Sequence, residues 1–128
     1  MMALYQRLKH WQFYLLLVLF AGFGLTPNPG ELLIQTNDLL LHFSGYTIAG
    51  ISMGLSKPAL RHWQRFIFLW VYSLAIEVGQ HFVPHRGFDL LDLLANGSGA
   101  ILGLMLYQWL ARPIDHALIR AIAPNQTN

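Results

Sequence analysis

No cysteine occurs anywhere in the sequence, which excludes disulfides and thiolate metal sites and leaves the redox compartment unread. Charge is nearly as scarce. Charged residues make up 11% of the chain and hydrophobic residues 55%, against roughly 25% and 45–50% in ordinary soluble domains. So few charges do not cover a water-soluble body of this size, and lipid must cover part of it. Equally missing is any basic run with interleaved aromatics, the footprint of a nucleic-acid partner. The net charge is only +2. At 128 residues the chain is one domain, residues 1–128, because a second would leave each half too small for its own core.

What is present is long apolar stretches. A bilayer core takes about 20 mostly apolar residues in a helix, and the sequence offers four such segments, at about 8–27, 39–55, 63–83 and 88–111. A soluble helix would carry a polar stripe along its whole length; residues 13–25 carry none. The segments are separated by breakers. Thr26-Pro27-Asn28-Pro29-Gly30 ends the first, since neither proline donates a backbone hydrogen bond. Ser56-Lys57-Pro58 follows the second, and Pro84-His85-Arg86-Gly87 reverses the chain between the third and fourth. Arg112-Pro113 closes the fourth, leaving a short tail. Arg7 and Lys9 before the first segment would also suit a signal peptide, but no small-residue cleavage site follows, so the helix is read as retained.

These features predict an all-α, four-helix transmembrane bundle with antiparallel neighbours. Orientation follows from the basic residues near the span ends. Arg7, Lys9, Lys57, Arg61, Arg65, Arg112 and Arg120 fall on one side and Arg86 alone on the other, out of 8 Lys and Arg in all. Both termini are therefore expected in the cytoplasm. Trp11, Trp63 and Trp109 suit interfacial anchors.

Ionisable groups inside membrane helices are costly and suggest a functional site or a polar packing network. Here their depths agree. Glu77 lies roughly 9 Å before the end of the third segment and Asn96 roughly 12 Å after the start of the fourth, at about 1.5 Å per residue. Asp38 and His42 open the second segment at the same face. Spacing places Asp38, His42 and Tyr46 on one stripe, Glu77 and Gln80 on another, and Asp89, Asp92, Asn96, Gly99 and Gly103 on a third. Gly50/Gly54 and Gly99/Gly103 are small-xxx-small pairs suited to close helix packing.

Two readings stay open for this cluster. In the structural one, Arg86 neutralises Asp89 or Asp92 while Asn96 and Gln80 cross-link helices. In the functional one, four carboxylates (Asp38, Glu77, Asp89, Asp92) exceed the single Arg86, and one of them serves as general acid or base or holds a cation. Glu77, Asp92 and His42 are the catalytic candidates; Asp38, Tyr46, Gln80, Arg86, Asp89 and Asn96 are the binding candidates. No metal and no cofactor is expected. His81 and His85 are separated by Pro84, which interrupts a ligand-bearing helix face. His42 with Asp92 or Glu77 makes a mixed nitrogen–oxygen site only if tertiary packing brings them together.

The stretch from Glu77-Val78-Gly79-Gln80 through Arg86, Asp89, Asp92 and Asn96 to Gly103 resembles the signature of VanZ-like membrane proteins. The upstream Asp38-Leu39-Leu40-Leu41-His42-Phe43-Ser44-Gly45-Tyr46 is similar to that family's aspartate–histidine–tyrosine segment. Leu39 departs from the lysine that members often carry there, and His81 and His85 lie outside the pattern. The resemblance implies a multi-pass protein of the bacterial cytoplasmic membrane, and a family whose namesake is linked to teicoplanin resistance. The expected function is an outer-leaflet polar site that binds or modifies an envelope lipid or glycan precursor. The alternative is a non-catalytic scaffold that packs on another membrane protein through its glycine-rich faces. A proton-coupled transporter is a weaker fit, because the polar groups do not continue to the cytoplasmic side.

Overall fold

The computed structural model describes residues 1–27 and 37–122, and the described residues contain helices and no strand. Helix α1 covers Met2–Gly24, α2 Asp38–Ser56, α3 His62–Gln80, α4 Leu90–Leu106 and α5 Arg112–Ile122, with a π-helical turn, Tyr107–Ala111, joining α4 to α5. The helix starts are written in the sequence. Asn37 accepts from the Leu40 N–H at 3.4 Å and so caps α2, with Asp38 in the first turn. Asp89 accepts from Leu91 N–H at 2.7 Å and caps α4. Each satisfies a donor that the helix start leaves unpaired. The Gln64 side chain folds back onto the Arg61 N–H at 2.9 Å at the start of α3.

Three boundaries differ from the sequence reading. Helix α1 starts at Met2 and stops at Gly24, so Arg7 and Lys9 lie within the helix, and it ends three residues before Pro27. The Asn28-Pro29-Gly30 part of the expected stop lies outside the described residues. Helix α3 ends at Gln80, earlier than expected. The turn that follows is set by His85, whose φ of 62° is left-handed, a conformation that costs a non-glycine residue roughly 1–2 kcal/mol. Finally, Pro113 does not end the fourth helix, and the expected tail is the helix α5. A proline inside an α-helix removes one bond and its ring meets the carbonyl four residues back. The π turn widens the backbone there, and the Arg112 N–H reaches the Tyr107 carbonyl, five residues back, so the helix passes through the proline.

The core is small: Phe13, Tyr46, Ala49, Met53, Leu69 and Ala100 form its buried cluster, with Phe20 and Tyr72 among the partly buried groups packed on it. The closest pair of helices is α2 and α4, and glycine permits it. A methyl group at Gly99 would collide with the Phe43 carbonyl and one at Gly103 with the Thr47 carbonyl, while at Gly50 it would sit 2.8 Å from the Ala100 oxygen. Gly50, Gly99 and Gly103 are thus used inside the chain and do not form a free glycine face for a partner.

Polarity is arranged the opposite way from a soluble bundle. Ser52, Ser56, Ser73, Glu77, Gln80 and Asn96 are buried, while Trp11 at 69% exposed and Val18 at 68% lead a long series of exposed large apolar side chains on the helices. By length and composition two of the helices, Asp38–Ser56 and Leu90–Ile122, are able to cross a membrane. At the N-terminal end of α1, Lys9 is buried and meets both oxygens of Asp115 on α5, at 2.8 and 2.7 Å. Tyr5 donates to the same carboxylate at 2.6 Å. This triad ties the first helix to the last.

Candidate functional site

The close contact of α2 with α4 brings two polar stripes face to face. His42 Nδ1–H donates to Asn96 Oδ1 at 3.0 Å, and Asn96 in turn donates to Ser73 Oγ on α3 at 2.8 Å. The other imidazole nitrogen, Nε2, faces Asp92 Oδ2 at 3.5 Å and Asp38 Oδ1 at 3.8 Å. Asp38, one turn before His42, is the outer member, its side chain 69% exposed. Glu77 is the inner one, 0% exposed.

Glu77 holds an incomplete set of partners. Its Oε2 accepts from the Asp89 backbone N–H at 3.3 Å, but among the described residues Oε1 is buried with no hydrogen-bond partner, as is the Tyr46 hydroxyl. Glu77 stands one turn along α3 from Ser73, which holds Asn96, so it belongs to the same cluster. An orphaned buried oxygen costs about 1–3 kcal/mol. A native fold keeps such an atom where something else meets it.

Most of the residues singled out from the sequence meet here, with two corrections. Asp38, His42, Glu77, Asp92 and Asn96 converge, and Tyr46 lies one turn below His42, its ring 5.4 Å from that of Phe20. Arg86 does not pair with Asp89 or Asp92: it forms no salt bridge among the described residues, and its Nη2 donates to the Gly24 carbonyl at 3.4 Å. The reason lies in the turn. The left-handed His85 directs the chain so that the guanidinium meets the open C-terminal end of α1, where carbonyls lack helical partners. Gln80 donates to the same Gly24 carbonyl at 3.0 Å, so both anchor α1 beside the cluster. Asp89 is occupied as the cap of α4.

Three features were missed from sequence. Ser73 holds Asn96, and its position one turn before Glu77 on the same helical stripe was a usable signal. Arg65 is buried against the Lys57 and Pro58 carbonyls at 3.1 and 2.7 Å and over the Tyr107 ring. The Tyr5–Lys9–Asp115 triad joins residues 106 or more apart, and no local pattern announces it. An apolar groove of about 740 Å³ along α1, between Trp11, Leu15 and Leu55, lies near that triad and far from the cluster.

The fold and its buried polar centre define an all-helical bundle whose apolar exterior and two long apolar helices point to a membrane protein. The chain belongs to the VanZ/LLP1 family, whose model matches residues 3–111. The match covers every residue of the cluster and stops at the π turn, before α5. Neither a curated protein nor a solved structure matches the chain.

Proposed function

We propose that the chain is a four-span protein of the bacterial cytoplasmic membrane with both termini in the cytoplasm. Its outer-leaflet cluster binds, and acts on, the anionic headgroup of an envelope lipid or lipid-linked glycan precursor. The observation that carries this reading is a buried carboxylate, Glu77, with an oxygen that has no partner among the described residues, in a polar cluster whose outer member, Asp38, is exposed. Ionisable groups at such depth are retained for function more often than for packing. Arg86 stands beside the cluster with only a long contact to a carbonyl, and guanidinium suits a phosphate. Glu77 and Asp92 are the groups placed to give or take a proton, with His42 as a second. Family membership supplies the envelope setting, and the link to glycopeptide tolerance is part of the same proposal. A scaffold role loses its main argument, because Gly50, Gly99 and Gly103 are already packed within the chain.

The test uses the full chain in nanodiscs, incubated with radiolabelled envelope lipids, with retention and turnover scored separately. Arg86→Gln should lower retention about tenfold or more, the loss of one charge-assisted hydrogen bond of roughly 1.5–3 kcal/mol. Glu77→Gln should leave retention intact and reduce turnover by about 10²–10⁴-fold. Reporter fusions at residue 128 and in the 84–87 turn read the topology in the same strains. Equal retention and turnover in all three proteins, or a periplasmic C-terminus, would defeat the reading.

A further inference from the structure

We infer that Asp38, His42 and Asp92 form a binding site for a divalent cation of the zinc class. The inference stands on these three side chains and does not rest on the headgroup reading. One ligand atom from each lies within 4.8 Å of the others. His42 Nε2 is 3.5 Å from Asp92 and 3.8 Å from Asp38, and both distances exceed the 2.7–3.2 Å or so of an N–H···O hydrogen bond. They match something else. Two donors bound to one tetrahedral ion at about 2.0–2.1 Å are separated by roughly 3.4 Å.

The hydrogen bonding points the same way. Asn96 presents its oxygen to Nδ1, which leaves Nε2, the nitrogen facing the two carboxylates, as the ligating atom. A proton on Nε2 or a metal ion would each offset the two carboxylates, and metal titration distinguishes them. Metal-ligating histidines characteristically donate their other N–H to an oxygen that fixes the ring, and Asn96, held by Ser73, is that oxygen. Two carboxylates carry the charge a divalent ion offsets. The independent sign of a ligand is Glu77, fully buried one turn along α3 from the Ser73 that holds Asn96, its Oε1 without a donor among the described residues. A hydrated cation brings donors of that kind.

Donor chemistry narrows the ion. An imidazole nitrogen beside two carboxylates, at the donor spacing of a tetrahedral ion, favours zinc over calcium and magnesium, and the absence of cysteine excludes thiolate-dependent ions. Three protein ligands leave a coordination position open, the arrangement of sites that bind or activate a further ligand rather than only brace a fold.

The test takes the full chain in detergent micelles, stripped with a chelator and free of added lipid, and titrates it with Zn²⁺ by calorimetry and with Co²⁺ by visible absorption. The expected result is saturable uptake of one ion per chain and an intense tetrahedral Co²⁺ band with nitrogen and oxygen donors. His42→Ala and Asp92→Asn should each weaken uptake about 100-fold or more. Asn96→Ala, which leaves all three ligands in place, should weaken it by about 10–100-fold. His81→Ala with His85→Ala should change nothing. No saturable uptake by the folded wild-type chain, or uptake unchanged in both ligand variants, overturns the assignment. If a ligand variant fails to fold, the wild-type Co²⁺ spectrum decides, and a weak octahedral spectrum counts against the site. With no lipid present, failure here leaves the headgroup reading standing, and failure of lipid retention leaves this one standing.

Discussion

Replacing Lys9 by methionine keeps the apolar stem of the side chain and removes its charge. Its ammonium now meets both oxygens of Asp115 at 2.8 and 2.7 Å, with the pair almost closed to solvent. After the change the carboxylate retains, among the described residues, the Tyr5 hydroxyl at 2.6 Å. Stranding one member of a buried ion pair costs about 3–5 kcal/mol, and Asp115→Leu should cost a similar amount by stranding the ammonium. The double variant should behave differently. Buried pairs replaced by apolar groups of similar volume are often neutral or better, so Lys9→Met with Asp115→Leu is expected within about 2 kcal/mol of wild type. Reversible unfolding in mixed detergent micelles, followed by circular dichroism, measures all corners of the cycle. A double variant as unstable as the sum of the singles would refute the claim that the two charges hold each other. The triad also carries a pH signature. The Tyr5 hydroxyl is pushed up from 10.0 to about 12, chiefly by its hydrogen bond to Asp115, with burial and the carboxylate charge adding to it. A raised pKa means that the folded state favours the neutral phenol. Its contribution is therefore complete below about pH 10 and lost as pH rises through about 12. The stability gap between wild type and Tyr5→Phe should be constant up to pH 10 and close above it.

Two further outcomes follow from the packing and the turn. Gly103→Val places a branched side chain against the Thr47 carbonyl and the Gly50 backbone; it should part α2 from α4 and cost several kcal/mol, roughly the upper range for overpacking, with unfolding midpoints as the readout. Midpoints like those of wild type would mean that the two helices do not depend on that contact. Arg86→Ala removes one long contact to a carbonyl and should lower stability by no more than about 1 kcal/mol. A loss of several kcal/mol would mean that the guanidinium neutralises a carboxylate after all.

The polar cluster was legible because ionisable groups are rare in these segments, so each one is conspicuous. The stripes of Asp38, His42 and Tyr46, and of Asp92 and Asn96, follow from helical spacing alone. Their meeting followed from shared depth, and the paired glycines of α2 and α4 supplied the close approach. What the sequence hid was decided by single backbone events. Arg86 has carboxylates three and six residues ahead, yet the left-handed His85 sends it to Gly24 instead. Helix α5 was read as a tail because Pro113 is a stop by propensity, whereas one π turn removes the clash and has no local signature. Lys9 resembled an interfacial charge flanking a span. Its burial depends on Asp115, which arrives from a helix that the sequence reading did not contain.

Exposure through the cluster falls in one direction, from Asp38 to His42 and Asp92 and then to Glu77 and Ser73. One turn beyond Ser73 on α3 stands Leu69, wholly buried and apolar, and the polar lining stops. A series of this kind has a single exposed end. On the proposed reading a ligand would approach the cluster and leave it past Asp38, so a departing molecule and its successor would contend for the same side. In the proposed orientation that end faces outward, and a blocking compound would reach it without crossing the membrane.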